Sequence, residues 1–223
     1  MQKIIENLRY HYWASFRRKL LDTVQEKYRS IYTGVVLDIG GRDRGRFKKP
    51  RDQVKKWIFA DICPKWNPDV ILDIADMHVI QNESIDVIAA MEVFAHVEKI
   101  DQSLDECYRV LKKDGVLVFS SLMTYPIIED PTDFQRWTEA KWRMELTRHG
   151  FLVETVETMG RYFTVMADFI NIANKSMPSL VTCIGFLLYP LLLLLTKLDN
   201  THFVQNNKRL SSFTTGYFII ARK

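Results

Sequence analysis

Three acids close short apolar runs: Asp38 in "VVLDIGGRDRG", Asp61 in "KWIFAD" and Asp73 in "DVILD". Each run is β-rich and without polar alternation, so each carboxylate falls where a buried strand gives way to a turn. One such Asp serves equally well as a turn or helix cap, but three at successive strand ends form a line of acceptors along one sheet edge. Behind Asp38 come Gly40 and Gly41, which let a ligand approach the backbone. Dinucleotide-binding proteins share a glycine turn of this kind. Asp38 separates the alternatives, because an ionised carboxylate two residues before Gly40 repels a pyrophosphate but attracts an ammonium or accepts from hydroxyls. The turn also lacks the G-x-G-x-x-G spacing, and Pro50 leaves little room for a full helix behind it. A cationic nucleoside without phosphate suits it better than a nicotinamide dinucleotide. Asp61 can accept from both ribose hydroxyls, although a dinucleotide fold places an acid there too. Asp73 can accept from an adenine amino group while the backbone amide of Ile74 meets the ring.

The elements that must position these residues follow from the pattern. From residue 33 onward, the runs "GVVLDI", "KWIFAD", "DVILD", "IDVIAA" and "GVLVFSS" alternate with helical or turn segments. This predicts a parallel sheet with helices on both faces. In "IDQSLDECYRVLKKDG", Leu104, Tyr108 and Leu111 share a helix face and Gly115 stands where a C-terminal cap belongs. Thr138 can cap a helix through "EAKWRMELTRHG", ended by Gly150. "FLVETVE" and "TTGYFIIARK" supply the last two strands. Residues 3 to 30 read as one basic amphipathic helix, with Ile4, Ile5, Leu8, Tyr12, Phe16 and Leu20 at helix spacing and Arg17, Arg18 and Lys19 largely on other faces. It covers one side of the sheet or lies on a membrane surface.

Read together, 34 to 157 resembles the class I S-adenosylmethionine-dependent methyltransferases, in particular the type 11-like group with "DxGGG", "EVLEHV", "RVLKPGG" and "DPYDFYRYT" signatures. The corresponding stretches here are "LDIGGRDRG", "MEVFAHV", "RVLKKDG" and "EDPTDFQRWT". The resemblance implies a Rossmann-like α/β fold: a seven-stranded, mostly parallel sheet whose last strand is antiparallel. It implies S-adenosylmethionine as cofactor, with Asp38, Gly40 and Gly41 on its methionine side, Asp61 and Ile62 at the ribose, and Asp73 and Ile74 at the adenine. Ala90 and Met91, with Glu92, then flank it after the fourth strand. Two positions depart from the group: Arg42 replaces a small residue, and Ala95 replaces an acid before His96.

Methyl transfer from a sulfonium is an in-line displacement with an activated leaving group, so positioning and desolvation supply most of the catalysis. A base is needed only for a protonated acceptor, and the candidates are His96, Glu92 and Asp133. Asp133 and Arg136 lie in the loop after the fifth strand, where open α/β folds bind acceptors, and are expected to position the substrate. The competing reading is a loop-to-helix salt bridge.

The expected organisation is an N-terminal helix (1–32), a methyltransferase domain (33–160 and 212–223) and a hydrophobic insert (161–211). Within the insert, "SMPSLVTCIGFLLYPLLLLLT" carries no charge and would span about 30 Å as one helix, enough for a bilayer. A single crossing would strand "TTGYFIIARK" on the far side of the membrane from its sheet. A hairpin dipping into one leaflet, with Pro178 and Pro190 as entry and break, is the favoured arrangement; a helical cap or dimer interface is the second and a true span the third. That favours a small or lipid-linked acceptor of glycan, glycolipid or quinone type, with contact to the membrane through 162–196. A catalytically inactive scaffold and an RNA or protein methyltransferase are the other readings. A formal charge of +4 does not call for a nucleic-acid partner, and the cluster Lys48, Lys49, Arg51, Lys55 and Lys56 reads as a solvated loop. Three cysteines without C-x-x-C spacing point away from zinc and toward a reducing compartment, and no metal is expected. With no secretory signal at the N-terminus, the catalytic part is placed on the cytoplasmic side.

Overall fold

The computed structural model describes residues 10–43 and 45–223. Seven strands form one sheet: β1 (Val35–Ile39), β2 (Lys56–Asp61), β3 (Val70–Ile71), β4 (Ile85–Met91), β5 (Leu111–Leu122), β6 (Leu152–Met159) and β7 (Gly216–Arg222). Their order is β3-β2-β1-β4-β5-β7-β6, with β7 antiparallel to both neighbours. The chain order reverses between β1 and β4, and a crevice opens at the carboxyl ends of strands at such a switch point. Asp38, Asp61 and Asp73 all lie on that edge.

The apolar runs are explained by burial on both faces. Successive side chains of a strand point to opposite sides. Leu37, Ile39, Ile88, Ala90, Leu117 and Phe119 therefore enter one core, while Val36, Val87, Ala89, Val116 and Val118 enter the other. Helix α2 (Ile100–Val110) covers the first with Ile100, Leu104, Cys107 and Val110. Helix α3 (Glu139–Arg148) adds Trp142 and Leu146 to it. Helix α1 (Phe16–Lys27) closes the second with Leu21.

Local chemistry decides where helices stop. The Thr138 hydroxyl accepts from the Lys141 amide, and Gly150 takes φ +87° past the end of α3, as the sequence predicts. Two expectations fail. The helix read through 3–30 is broken at Ala14 and Ser15: residues 10–13 form one turn, then Ser15 turns extended and its side chain accepts from the Arg18 amide at 3.0 Å. A serine cap competes with helix continuation, which periodicity alone does not register. Residues 3–9 of that expected helix lie outside the described residues. Gly115 is also not a helix cap. The chain enters β5 at Leu111, which pairs with Ile85, and the next pairing is Val116 with Val87, so 112–115 bulge outward with Asp114 at φ +62°.

The insert folds into α4 (Tyr162–Lys175), α5 (Ser179–Phe186), α6 (Tyr189–Leu198), α7 (His202–Asn206) and α8 (Lys208–Ser211). Its uncharged stretch is not one helix: it breaks at Leu187 and Leu188, and Pro190 sits in the first turn of α6, where its missing N–H costs nothing. Among the described residues no helix is long and apolar enough to cross a membrane, and after the insert the chain returns to the sheet as β7.

Two buried acids tie the insert together and to helix α1. Asp199, after α6, accepts from the amides of Arg161 (2.8 Å), Phe163 (3.0 Å) and Thr164 (2.9 Å) at the start of α4. Asp168, within α4, accepts from Phe16 (2.6 Å) and Arg17 (2.9 Å) at the start of α1. With the Ser15 bond, the first three amides of α1 all have partners, which an isolated helix leaves open. A negative charge there also complements the helix dipole. The Tyr189 ring of α6 stacks on Phe16 at 5.5 Å.

Candidate active site

The turn after β1 is shaped around one carboxylate. Gly40 takes φ +64° and its amide donates to the Ala60 carbonyl at 2.8 Å. A Cβ on Gly41 would fall 2.0 Å from the Asp38 carboxyl carbon, so only glycine lets that side chain lie against the turn. Asp38 is buried and accepts from the Trp57 indole at 2.9 Å, and the Lys49 ammonium lies 2.9 Å away. Burial pushes the Asp38 pKa above the ordinary range, and Lys49 and Trp57 offset only part of that rise. No helix follows within 41–55 among the described residues. Lys49 is therefore not part of a solvated loop: its side chain is 12% exposed, lies 3.0 Å from Asp43 and donates to the Gly41 carbonyl.

At the next strand ends, Asp61 accepts from the Cys63 amide at 2.9 Å and Asp73 from the Ala75 amide at 2.8 Å. Each thus uses Oδ1 to shape its turn. Ile62 is exposed beside Asp61, whereas Ile74 is buried in the core. Ala90 is also core, and Met91 lies half-buried beside the Asp38 pocket.

Glu92 follows with a left-handed backbone, φ +65°, unusual for a residue bearing a side chain. Its amide donates to Ser120, the Ser120 hydroxyl donates to its carboxylate, and the Arg17 guanidinium from α1 pairs with the other oxygen. Arg17 is 3% exposed, and its guanidinium lies 5.5 Å from the Tyr125 ring centre. Burial pushes its pKa down to about 9, which leaves it charged at neutral pH. The sequence offered no signal for this pairing, since Arg17 fell among the polar positions of a surface helix. The Glu92 carboxylate thus has both oxygens engaged, one by Ser120 and one by Arg17.

The loop after β5 carries the remaining candidates. The His96 Nδ1 lies 3.0 Å from the Thr132 carbonyl, so Nδ1 carries the proton and donates, and Nε2 is the acceptor nitrogen. Asp133 and Arg136 form an ion pair, and Arg136 also donates to the carbonyls of Met123 (3.1 Å), Tyr125 and Pro126 (2.8 Å). Burial pushes Asp133 up, but Arg136 and the Ile128 amide more than compensate and hold its pKa below the ordinary range. These two residues spend their polar groups on the shape of the loop.

The donor set fits a nucleoside bearing an amino acid: a carboxylate that already holds an ammonium, a turn without room for a Cβ, and two further acids along the edge. Residues 25–119 match the family model described as a methyltransferase domain. That segment is similar to a methyltransferase domain. The chain's fold is the Rossmann-like fold of the class I enzymes. The structure of an S-adenosylmethionine-dependent methyltransferase from Archaeoglobus fulgidus is similar to it with a TM-score of 0.59 at 16% identity, covering 98% of this chain and 99% of that one. Phosphoethanolamine N-methyltransferase 2 of Haemonchus contortus, with S-adenosyl-L-methionine, gives 0.56 at 11% identity over 91% of this chain and 52% of that one. The 1,6-didemethyltoxoflavin-N1-methyltransferase of Burkholderia thailandensis gives 0.53 at 11% identity, over 93% and 78%. At such identities the likeness is one of fold. No curated protein matches the chain significantly in sequence.

Proposed function

We propose that this protein is an S-adenosylmethionine-dependent methyltransferase that works on the cytoplasmic surface of a membrane, on a small lipid-linked acceptor of glycan, glycolipid or quinone type. When bound, the cofactor supplies a methyl group on a positively charged sulfur. The chain's own residues bind and orient it: Asp38 with Gly40 and Gly41 at the amino-acid end, Asp61 and Ile62 at the ribose, Asp73 and Ile74 at the adenine, with Ala90 and Met91 flanking. For a hydroxyl acceptor, His96 Nε2 is the best-suited base, ahead of Asp133 and Glu92, whose carboxylates are held by arginines. Asp133 and Arg136 then act through the loop they shape over the acceptor.

The observation that carries the membrane part is a leucine stripe. Leu191, Leu194 and Leu198 recur at spacings of three and four residues on one face of α6, Leu187 precedes them in the turn before that helix, and all four are exposed. Leu188 in the preceding turn is also exposed, while Tyr189 and Leu192 of the same helix are buried against the body of the protein. A contiguous apolar patch on one element marks a surface that something covers. A monotopic contact fits better than a dimer because Lys197, Lys208 and Arg209 are exposed close by and complement anionic headgroups. Three free cysteines suit a reducing compartment.

Flotation with vesicles of phosphatidylcholine and phosphatidylglycerol tests this reading. The wild type floats, and the triple variant Leu187→Gln, Leu191→Gln, Leu194→Gln loses most of that binding while keeping its Tm. A variant that floats like wild type overturns the membrane assignment. A wild type that stays in solution as a dimer, with a monomeric variant, turns the stripe into a subunit interface.

A further inference from the structure

Resting on that cofactor reading, we infer that Lys49 is the residue that binds the carboxylate of the cofactor's amino-acid end, and that it leaves Asp38 to do so. An amino acid presents an ammonium and a carboxylate one carbon apart, so a site that takes the ammonium on Asp38 needs a cation within a few ångströms of it. Among the described residues, the cations lining this pocket are Arg18, Arg42 and Lys49. Arg18 faces Asp22 and Tyr10. Arg42 stacks over the Trp66 ring at 4.1 Å. Lys49 is the one already at Asp38, with its ammonium 2.9 Å from Oδ2, the oxygen that also accepts from Trp57.

That ammonium occupies the place the cofactor's own ammonium requires. Lys49 has a second partner in Asp43, 3.0 Å away and largely exposed, on which it can pivot. Its flexible four-carbon stem allows the movement. Before binding, Lys49 bridges Asp38 and Asp43. After binding, Asp38 holds the incoming ammonium, and Lys49 pairs with the incoming carboxylate while keeping Asp43. Every buried charge stays paired in both states, which the low-dielectric setting demands. Lys49 is thus the partner of Asp38 and Asp43 in this structure and a ligand for the zwitterion's carboxylate in the complex.

Titration calorimetry on the full-length protein separates this from a structural role. The ligands are S-adenosylmethionine and its decarboxylated form, which keeps the ammonium and sulfonium but lacks the carboxylate. Lys49→Met is expected to weaken S-adenosylmethionine by about ten- to a hundredfold, the range for one charge-assisted hydrogen bond, and to leave the decarboxylated form unchanged or tighter because the competitor for Asp38 is gone. Lys49→Arg should bind both nearly as wild type. Equal weakening of both ligands by Lys49→Met, or weakening of neither, overturns the assignment. If Lys49→Met does not fold, Lys49→Gln replaces it with the same expected pattern. A folded wild type that binds neither ligand instead removes the cofactor reading itself, and this inference with it.

Discussion

Replacing Asp168 by Ala tests whether the insert holds the N-terminal helix in place. The carboxylate lies 2% exposed and accepts from the Phe16 and Arg17 amides at 2.6 and 2.9 Å. Removing it leaves two amides at the start of α1 without acceptors, in a region where Phe16 and Arg17 are themselves buried. An unsatisfied buried donor costs about 1–3 kcal/mol, and the lost charge at the helix terminus adds a few tenths to about 2. Against this stands the desolvation of the carboxylate itself, since burial pushes the Asp168 pKa up. The net expectation is a loss of about 2–4 kcal/mol, or about 4–16 °C in Tm at the 2–4 °C per kcal/mol typical of a chain this size. Urea unfolding of wild type, Asp168→Ala and Asp168→Asn measures it, with Asp168→Asn between the other two because its amide oxygen still accepts. The pH dependence has a definite sign. A carboxyl with a raised folded pKa binds its proton more readily in the folded protein, so wild type gains stability relative to Asp168→Asn as pH falls through that value and loses it as pH rises. An Asp168→Ala protein within about 0.5 kcal/mol of wild type would refute the reasoning, because that is the scatter of inconsequential surface changes.

Asp38→Asn is expected to abolish S-adenosylmethionine binding while preserving the fold, because Lys49 keeps Asp43 as its partner; calorimetry with circular dichroism checks both halves. Arg17→Met leaves the Glu92 carboxylate without its cation in a half-buried site, and should cost about 3–5 kcal/mol by chemical denaturation. Adding Glu92→Gln to Arg17→Met should recover part of that loss, and a double-mutant cycle with no coupling would count against the pair.

The middle of the sheet was legible because β1 and β4 are nearly uninterrupted apolar runs, as burial on both faces produces: Val36 and Leu37 enter different cores and are equally apolar. The acids at the strand ends were legible for the same reason, since a buried strand that stops at Asp38 or Asp61 leaves the acid at the crevice. Thr138 and Gly150 could be read because caps are local. The break at Ser15 could not, because the serine that caps α1 sits within an apolar repeat that continues across it. Asp168 and Asp199 cap helices of other segments, the first across 152 residues of chain, and no window of sequence joins such partners. Lys49 was lost in a run of basic residues that looks solvated as a group, and only the fold distinguishes the member that turns inward to Asp38. Arg17 was hidden similarly in the polar face of a helix whose polar face meets the site.

The most direct test of the account is calorimetric titration of the purified, cofactor-free protein with S-adenosylmethionine and S-adenosylhomocysteine, with NADH as control. The arrangement of Asp38, Gly40 and Gly41 predicts that the first two bind and the third does not. A well-folded protein that binds NADH, or that binds none of the three, would contradict it.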